Sequence, residues 1–274
     1  MTGPVDIVVR CRNEMPWTER TVMALLDQEG VEARLFFIDS GSTDGSRELA
    51  VARGLRIHDW DPSQYVPGRV LNFGMQQTAS PIVAFVNADA VPQGRGCLRT
   101  LIEPLESPDV AATFARQVAR PAADRLTRLD YERAFGDTPP RTRVGSFFSM
   151  AASAIRRDVW ERTPFDPDLQ YSEDVDWTTR VTALGHRVVY VPEARFEHSH
   201  DYDIRGQFKR RRGEGVADTS IHRLGKAPFI DDLARPFAGA VLRDARAGTL
   251  APDAFALRVV QAAGYFVGRW ETRR

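Results

Sequence analysis

The first 90 residues alternate short apolar runs with segments of helical spacing. The apolar runs predict four strands, at residues 6–10, 34–38, 55–57 and 82–86. The stretches between them predict helices at residues 18–28, from Ser46 onward and at 70–78. Strands separated by helices predict an α/β fold, with a mostly parallel sheet flanked by helices on both faces. Ligands of such sheets bind beyond the carboxyl ends of the strands.

Polar residues stand where these strands end. Asn13 follows the first strand, Asp39 ends the second, and Asp89 follows the fourth. Ser, Asp and Gly are also ordinary turn and capping residues, and we expect residues 42–45 to cap the second helix. Capping does not explain why Asn13, Asp39 and Asp89 should all lie at one edge of the sheet. We therefore expect a functional site at that edge.

The later chain is less regular. We expect a charged loop over residues 121–140 with a helix over 124–135, and a helix over 172–184 that Gly185 ends. A strand over 188–191 should end at Pro192. From Ile204 the pattern is helical, with breaks at Pro228, Pro236 and Pro252, which predicts a helical C-terminal extension.

Composition and charge exclude several classes of protein. The 274 residues carry 37 basic and 37 acidic side chains, so we expect no nucleic-acid partner, although a local anion site remains open. No apolar run reaches the roughly 18 residues that span a bilayer, and the first residues lack the order of a signal peptide. Two cysteines, Cys11 and Cys97, make neither a disulfide framework nor a zinc site. We expect a cytoplasmic protein.

The balanced charge is unevenly distributed. Residues 1–200 have a net charge of −5 and residues 201–274 a net charge of +5. Only two of the 37 basic residues are lysines. This bias has two alternative explanations. One is codon preference, and the other is selection for guanidinium groups that bind phosphate or carboxylate.

Two acidic motifs carry candidate chemistry. Asn87-Ala88-Asp89 follows a strand and precedes a predicted Val-Pro turn, where a carboxylate can hold a divalent cation that neutralises a diphosphate. Residues 172–177 place Glu173, Asp174 and Asp176 at a helix start. Acids there stabilise the helix dipole, and one of them could also serve as a general base.

Two basic motifs follow. We expect His198 and His200, alternating on an extended segment, to point to opposite sides, so that at most one faces a given site. Residues 209–212 form either a solvated basic face or, through Arg212, a clamp on a departing diphosphate. The glycine motifs of dinucleotide-binding and P-loop proteins are absent from the sequence, which disfavours both classes.

Together these residues resemble the family-2 glycosyltransferases of the GT-A fold. The matching segments occur in the order typical of that family, at residues 12–14, 39–45, 69 with 72–74, 87–92, 172–177 and 198–202. The last segment, with residues 207–210 and 215–216, is similar to bacterial rhamnosyltransferases that act in polysaccharide biosynthesis. The sequence departs from the family's D-x-D motif at Asn87, which replaces its first acid. We expect this change to weaken metal binding without abolishing it.

The resemblance implies a role for each matching residue. It implies an inverting transfer from a nucleotide-diphosphate sugar, such as dTDP-rhamnose, with Asp174 as general base and Glu173 beside it to bind acceptor hydroxyls. Mg²⁺ or Mn²⁺ would be held by Asp89 with His198 or, less favoured, His200. Trp177 would pack either under a sugar ring or in the core. The residues implied to bind the donor are Arg12, Asn13, Glu14, Asp39, Ser40, Arg69, Asn72, Asn87, Ala88 and Asp89.

The resemblance also divides the chain into three parts. Residues 1–115 would bind the nucleotide-sugar, residues 116–203 would form the acceptor-binding and catalytic half, and residues 204–274 would form the extension. The acceptor would be a glycan or a lipid-linked glycan. An apolar stripe within residues 254–270 predicts a core or homodimer face, or a peripheral contact at the inner face of the plasma membrane.

Two other functions remain open at this point. One is a non-catalytic domain that binds nucleotide-sugars or glycans on the same fold. The other is a nucleotidyltransferase, which would release pyrophosphate instead of a nucleoside diphosphate.

Overall fold

Residues 4–90 contain four strands and three α-helices. The structure is a computed structural model that describes residues 4–138, 147–200, 202–225 and 227–272. The strands are β1 (Val5–Cys11), β2 (Ala33–Asp39), β3 (Arg56–Asp59) and β4 (Ile82–Asn87), and the helices are α1 (Trp17–Leu26), α2 (Ser46–Ala52) and α3 (Pro67–Gln77). Neighbouring strands in the order β3-β2-β1-β4 are parallel. The predicted elements and their parallel pairing are therefore confirmed, with ends displaced by three residues or fewer.

Residues 91–197 add four strands to the same sheet. Its elements are β5 (Val91–Pro92), α4 (Cys97–Ile102), β6 (Val110–Val118), α5 (Arg125–Ala134), β7 (Ala152–Arg156), α6 (Arg157–Arg162), α7 (Glu173–Ala183) and β8 (Arg187–Glu197). Over the described residues the sheet order is β3-β2-β1-β4-β7-β6-β8-β5. β7 is antiparallel to both β4 and β6, whereas β8 is parallel to β6. The sheet is thus parallel in the first half and mixed in the second.

Two predictions about prolines in the strands were wrong. β8 does not end at Pro192, because an irregularity in its pairing moves the register from Ala115–Val191 to Arg116–Arg195 and the strand continues to Glu197. The Val-Pro segment after Asp89 is no turn, since β5 pairs antiparallel with β8 through Val91–Glu197. The predicted helices over 124–135 and 172–184 are confirmed as α5 and α7. Residues 139–140 of the predicted loop lie outside the described residues.

The sheet separates two apolar clusters, which follow from the alternation of side chains along its strands. Ile7 and Val9 of β1 belong to the cluster that contains side chains of α1 and α4. Val8, between them, belongs to the opposite cluster, with Leu71 of α3 and Trp177 of α7. Helices therefore cover both faces of the sheet, and its strand ends are left to form a site.

The C-terminal extension consists of α8 (Ile204–Ile221), a π-helical turn (Ile230–Ala234), α9 (Arg235–Arg246) and α10 (Pro252–Glu271). α8 and α10 approach through glycines: a Cβ on Gly215 would lie 2.3 Å from the carbonyl oxygen of Tyr265, and one on Gly268 would lie 2.0 Å from that of Arg212. Pro236 does not break the helix, because it is the second residue of α9, where no backbone N–H is required.

Buried arginines, which the apolar stripe did not predict, hold the helices of the extension together, and one of them also links the extension to α5. Arg258 of α10 pairs with Asp244 of α9 at 2.7 Å and with Asp130 of α5 at 2.7 Å. Arg269 of α10 pairs with the buried Asp232 at 3.0 Å. The buried face of α10 consists of small residues and these arginines, while Phe255 is exposed. No helix within the described ranges is long and apolar enough to cross a membrane.

Candidate active site

The carboxyl ends of β1, β2 and β4 meet at one edge of the sheet, as predicted. In the sheet register Cys11 pairs with Asp39, and Arg10 pairs with Asn87. A cavity of about 380 Å³, which we call the strand-end cavity, opens at this edge. It is lined by Arg10, Cys11, Arg12, Glu14, Ser40, Pro62, Tyr65, Asn87, Asp89 and His200. Five of the predicted donor-binding residues therefore lie together, and Ala88 is buried between two of them.

Asp39 is held rigidly at the end of β2. Its Oδ2 accepts hydrogen bonds from the backbone N–H groups of Gly41 at 3.0 Å and Ser42 at 2.9 Å. Its Oδ1 is buried and accepts no hydrogen bond from any described residue. A buried carboxylate oxygen without a donor is unfavourable, so this atom is suited to accept an N–H from a ligand.

The loop after β1 contributes one structural and one charged residue. Asn13 has a left-handed backbone (φ 55°), and its Oδ1 accepts a hydrogen bond from the N–H of Thr43 at 2.7 Å. Asn13 therefore joins the loops that follow β1 and β2. Burial and the charge of Asp89 raise the pKa of Glu14 to about 7, although Arg120 opposes the shift. A cation or proton at this position would relieve the repulsion between the two carboxylates.

Asp89, His198 and His200 form a group suited to a divalent cation. One ligand atom from each lies within 4.8 Å of the others. His198 Nε2 is 3.4 Å from Asp89 Oδ1, and His200 Nδ1 is 3.7 Å from Asp89 Oδ2. His198 Nε2 is also buried and makes no hydrogen bond within the described chain. One carboxylate and two imidazoles suit Mn²⁺ or other first-row metals, so the residues fit such an ion.

The expectation that the two histidines face opposite sides was wrong. Successive side chains alternate along an extended segment, so residues two apart share a face. His198 Nδ1 and Gln117 Oε1 are 2.8 Å apart, and Gln117 Nε2 donates to Ser149 Oγ at 2.7 Å. Because Gln117 already donates to Ser149, its Oε1 accepts from Nδ1–H of His198. Gln117 therefore orients the His198 ring, whose Nε2 faces Asp89.

Sequence reasoning missed Arg120, which contacts Asp89 directly. Arg120 Nη2 donates to Asp89 Oδ2 at 2.9 Å, and its guanidinium lies 3.9 Å from the ring centroid of Trp17. Burial alone would raise the pKa of Asp89, but His198, His200 and Arg120 outweigh it and lower that pKa to about 2. The Asp89 carboxylate is therefore ionised at neutral pH. Arg120 follows β6, outside every motif that pointed to the site.

The predicted acid pair lies at the start of α7. Ser172 precedes it in a left-handed conformation (φ 59°), and Asp174 Oδ1 accepts from the N–H of Val175 at 2.9 Å. Burial and the charge of Glu173 raise the pKa of Asp174 to about 7, and burial also raises the pKa of Glu173. The positive charge of Arg10, in the wall of the strand-end cavity, opposes both shifts. The acid pair is thus electrostatically linked to that cavity.

A second cavity of about 1000 Å³, which we call the helix cavity, lies between α7 and the C-terminal extension. Besides Glu173 and Asp174, its lining includes the aromatic residues Phe147, Phe148, Tyr171, Tyr202 and Tyr265 and the basic residues Lys209, Arg210 and Arg211. Aromatic faces and carboxylates together suit a sugar, whose C–H faces pack on rings and whose hydroxyls donate to carboxylates.

Six of the predicted donor-binding residues are not part of either cavity lining. Asn13, Asp39 and Ala88 lie at the strand ends beside the strand-end cavity, whereas Arg69, Asn72 and Arg212 make contacts elsewhere. Arg69 donates to Pro167 O at 2.8 Å and to Asp168 Oδ1 at 2.9 Å. Asn72 donates to Phe165 O at 2.8 Å, and Arg212 pairs with Glu271 at 2.6 Å.

The contacts of Arg69, Asn72 and Arg212 tie loops and helices together, and Trp177 also has a structural role. Trp177 is fully buried, with its Nε1 donating to Thr163 O, so it belongs to the core.

Comparison with solved structures establishes the fold. The chain is similar to a mannosyltransferase, PcManGT from Pyrobaculum calidifontis in complex with GDP-Man and Mn²⁺, with a TM-score of 0.68 and 21% identity over 98% of this chain and 86% of that one. It is also similar to glucosyl-3-phosphoglycerate synthase from Mycobacterium tuberculosis in complex with Mn²⁺, UDP and phosphoglyceric acid, with a TM-score of 0.59 and 18% identity over 80% and 78% of the two chains. The protein therefore has the GT-A fold of glycosyltransferases.

Comparison with protein sequences gives the family. The family described as "Glycosyltransferase like family 2" matches residues 3–216, and the chain belongs to it. The O-antigen chain rhamnosyltransferase WbaN of Salmonella anatum is 28% identical over 204 residues, 70% of this chain and 65% of that protein. The O-antigen chain rhamnosyltransferase RfbN of Salmonella typhimurium is 27% identical over 195 residues, 67% and 62% of the two chains. The match therefore spans just under two thirds of either relative.

Proposed function

We propose that this protein is an inverting, metal-dependent rhamnosyltransferase that transfers rhamnose from dTDP-rhamnose to a hydroxyl of a glycan or lipid-linked acceptor. The observation that carries the proposal is the placement of the two acidic groups. Asp89, with its two histidines, lies in one cavity, and Asp174 lies in the next, linked to the first by the charge of Arg10. The choice of rhamnose is supported by the named activity of the two Salmonella relatives.

The donor nucleotide occupies the strand-end cavity in this proposal. Asp39 Oδ1, buried and without a donor, accepts the ring N–H of a thymine or uracil base. Ser40 and Arg12, which line the same cavity, contact the ribose or phosphates. Arg69, Asn72 and Arg212 support the surrounding loops and helices through the contacts described above, and Asn13 joins the two strand-end loops.

Asp89, His198 and His200 would hold Mg²⁺ or Mn²⁺, which stabilises the negative charge that gathers on a departing diphosphate. Asp89 suits this role because its carboxylate stays ionised at neutral pH. Gln117 orients His198, and Arg120 fixes one carboxylate oxygen of Asp89. The chain thus supplies one negative ligand and two neutral ones.

The acid pair supplies proton transfer. Asp174 accepts the proton of the acceptor hydroxyl as that oxygen forms a bond to the anomeric carbon of the donor. The bond from that carbon to the diphosphate oxygen breaks on the opposite face, so the configuration inverts and a nucleoside diphosphate leaves. A pKa raised to about 7 suits a base that must take up a proton near neutral pH. Glu173 accepts a hydrogen bond from an acceptor hydroxyl in the helix cavity.

We also propose that the extension contacts the cytoplasmic surface of the membrane, in preference to forming a dimer. Phe229 and Trp270 are 61% and 52% exposed, and both rings stand beside Phe266, with centroids 6.0 and 6.1 Å away. The extension is the net positive part of the chain, and a positively charged surface with exposed aromatic rings suits anionic lipid. This location would bring the helix cavity close to a lipid-linked acceptor.

One assay tests the transferase proposal. The protein is incubated with dTDP-rhamnose, and separately with UDP- and GDP-sugars, with Mn²⁺ or with EDTA, and the released nucleotide is identified. The proposal expects dTDP to be released from dTDP-rhamnose in a Mn²⁺-dependent reaction. Release of pyrophosphate would instead indicate a nucleotidyltransferase. Binding of the donor without turnover, even when candidate acceptors are added, would indicate a non-catalytic domain.

A further inference from the structure

Arg10 occupies an unusual position in the wall of the strand-end cavity. It is the next-to-last residue of β1 and only partly accessible to solvent. Its Nη2 donates to Asn87 Oδ1 at 2.8 Å. Its Nε is buried and donates to no described residue, and no described acid lies within ion-pair distance of its guanidinium. The side chain is therefore anchored at one nitrogen while another N–H and the whole charge lack a partner.

Such an arrangement is unfavourable in the empty cavity. A buried N–H without an acceptor costs free energy, and a partly buried cation normally pairs with an acid. Most other partly buried arginines of the described chain do so, as Arg120 does with Asp89 and Arg258 with Asp244. Arg10 differs because its register partner in β4 is Asn87, a neutral residue. The amide fixes the guanidinium without neutralising it.

The nearby acids of α7 do not cancel this charge. Glu173 and Asp174 feel the charge of Arg10, but neither carboxylate lies within ion-pair distance of its guanidinium. Arg120 is committed to Asp89 and Trp17, and Arg12 is exposed. Arg10 is therefore the partly buried cation of this cavity that is ready to accept an anionic ligand.

We propose that Arg10 is a further donor-binding residue, whose uncompensated guanidinium binds the diphosphate group of the donor directly. The inference rests on the proposed function, since it assumes that a nucleoside diphosphate enters this cavity. It also assigns a consequence to the departure at Asn87: replacing an acid with an amide there leaves Arg10 free for phosphate. The chain thereby provides a positive charge for the diphosphate that does not depend on a metal ion.

The test compares a nucleoside diphosphate with its nucleoside in EDTA. Calorimetric titrations of dTDP and thymidine, with UDP and uridine in parallel, are carried out on the wild type, Arg10→Gln and Asn87→Asp. Asn87→Asp keeps Arg10 but supplies the missing acid beside it. Arg156→Gln is the matched control, because Arg156 is also partly buried but pairs with Ile82, at the opposite end of β4.

Loss of one charge-assisted contact predicts that Arg10→Gln and Asn87→Asp each weaken nucleoside diphosphate binding by about 10-fold or more in EDTA. Nucleoside binding should stay within error, the thermal midpoint should not fall, and Arg156→Gln should bind like the wild type. Unchanged diphosphate affinity in Arg10→Gln would overturn the assignment, as would an equal loss of nucleoside and diphosphate affinity. A wild type that binds none of these nucleotides, with or without Mn²⁺, would overturn the proposed function itself.

Discussion

Arg120 holds Asp89 at two atoms. Its Nη2 donates to the carboxylate Oδ2 at 2.9 Å and to the main-chain carbonyl oxygen at 3.1 Å. Trp17 lies under the same guanidinium, 3.9 Å from its ring centroid, and fixes it from the other side. The carboxylate expected to bind the metal is therefore held by a residue that lies on none of the three strands, β1, β2 and β4, that end at the strand-end cavity.

Arg120→Gln should reduce kcat/KM by about 10-fold or more, as loss of residues that orient metal ligands does. The Mn²⁺ concentration for half-maximal rate should rise with it, because Asp89 loses its fixed orientation. Arg20→Gln is the matched control: Arg20 also lies over Trp17, at 4.7 Å, and is exposed. If both variants lose activity equally, the effect comes from Trp17 packing and not from Asp89.

Asp174→Asn should lower transfer by about 10²-fold or more, since it removes a general base. Donor affinity should be unchanged. Asp176→Asn is the control in the same helical turn, because Asp176 pairs with Arg180 at 2.7 Å. Retention of more than a tenth of the wild-type turnover in Asp174→Asn would contradict the assignment.

Asp174→Asn should also make the fold more stable than that of the wild type above neutral pH. The folded pKa of Asp174 is raised to about 7 from an ordinary 3.8, so the native state binds more protons than the unfolded chain between these values. The stability of the wild type therefore falls as pH rises through this window, and Asp174→Asn escapes that loss. Its thermal midpoint should exceed that of the wild type at pH 8, and the difference should vanish near pH 4. A lower midpoint at pH 8 would mean that the carboxylate is stabilised by contacts.

Much of this molecule follows from local sequence pattern. Apolar runs and helical spacing predicted the strands and helices of the first 90 residues, because each short element there matches its own period. The end of β8 at Pro192 was mispredicted, because the irregularity in β8 depends on its pairing with β6. The burial of Arg258 in α10 was not predicted at all, because its ion pairs with Asp130 and Asp244 depend on the packing of three helices. The candidate site likewise contains residues that local pattern predicts and residues that only tertiary packing brings in. Asp39 and Asp89 follow strands and were predictable, whereas Arg120 reaches Asp89 only through tertiary packing.

The rate of transfer should fall as pH decreases through about 7, because Asp174 must be ionised to accept a proton and its pKa is raised to that value. Glu14, in the strand-end cavity, has a similarly raised pKa and could cause the same loss of rate at low pH, the acidic limb of the pH profile. The pH profile of kcat at saturating donor should therefore be measured for the wild type and for Glu14→Gln. We expect Glu14→Gln to retain the acidic limb. Its disappearance would assign the limb to Glu14.

His198→Ala and His200→Ala should each weaken Mn²⁺ binding, because both rings face Asp89. Loss of a metal ligand or of its support typically costs about 10- to 100-fold in affinity. Titration of free Mn²⁺ by electron paramagnetic resonance, without nucleotide, measures this directly. His186→Ala, which removes a partly buried histidine between α7 and β8, is the control. Wild-type affinity in His200→Ala would leave only Asp89 and His198 in the site.

The exposed rings of the extension should bind anionic membranes. Replacing Phe229 and Trp270 with serine should abolish co-sedimentation with phosphatidylglycerol vesicles, because exposed aromatic rings drive insertion at the interface. Leu184→Ser is the control: Leu184 is 66% exposed but lies at the end of α7. Binding should weaken as salt is raised, because charge attracts the extension to the lipid. Equal sedimentation of the double variant and wild type would contradict the membrane contact, and a dimer that the double variant alone dissociates would assign the rings to a subunit interface.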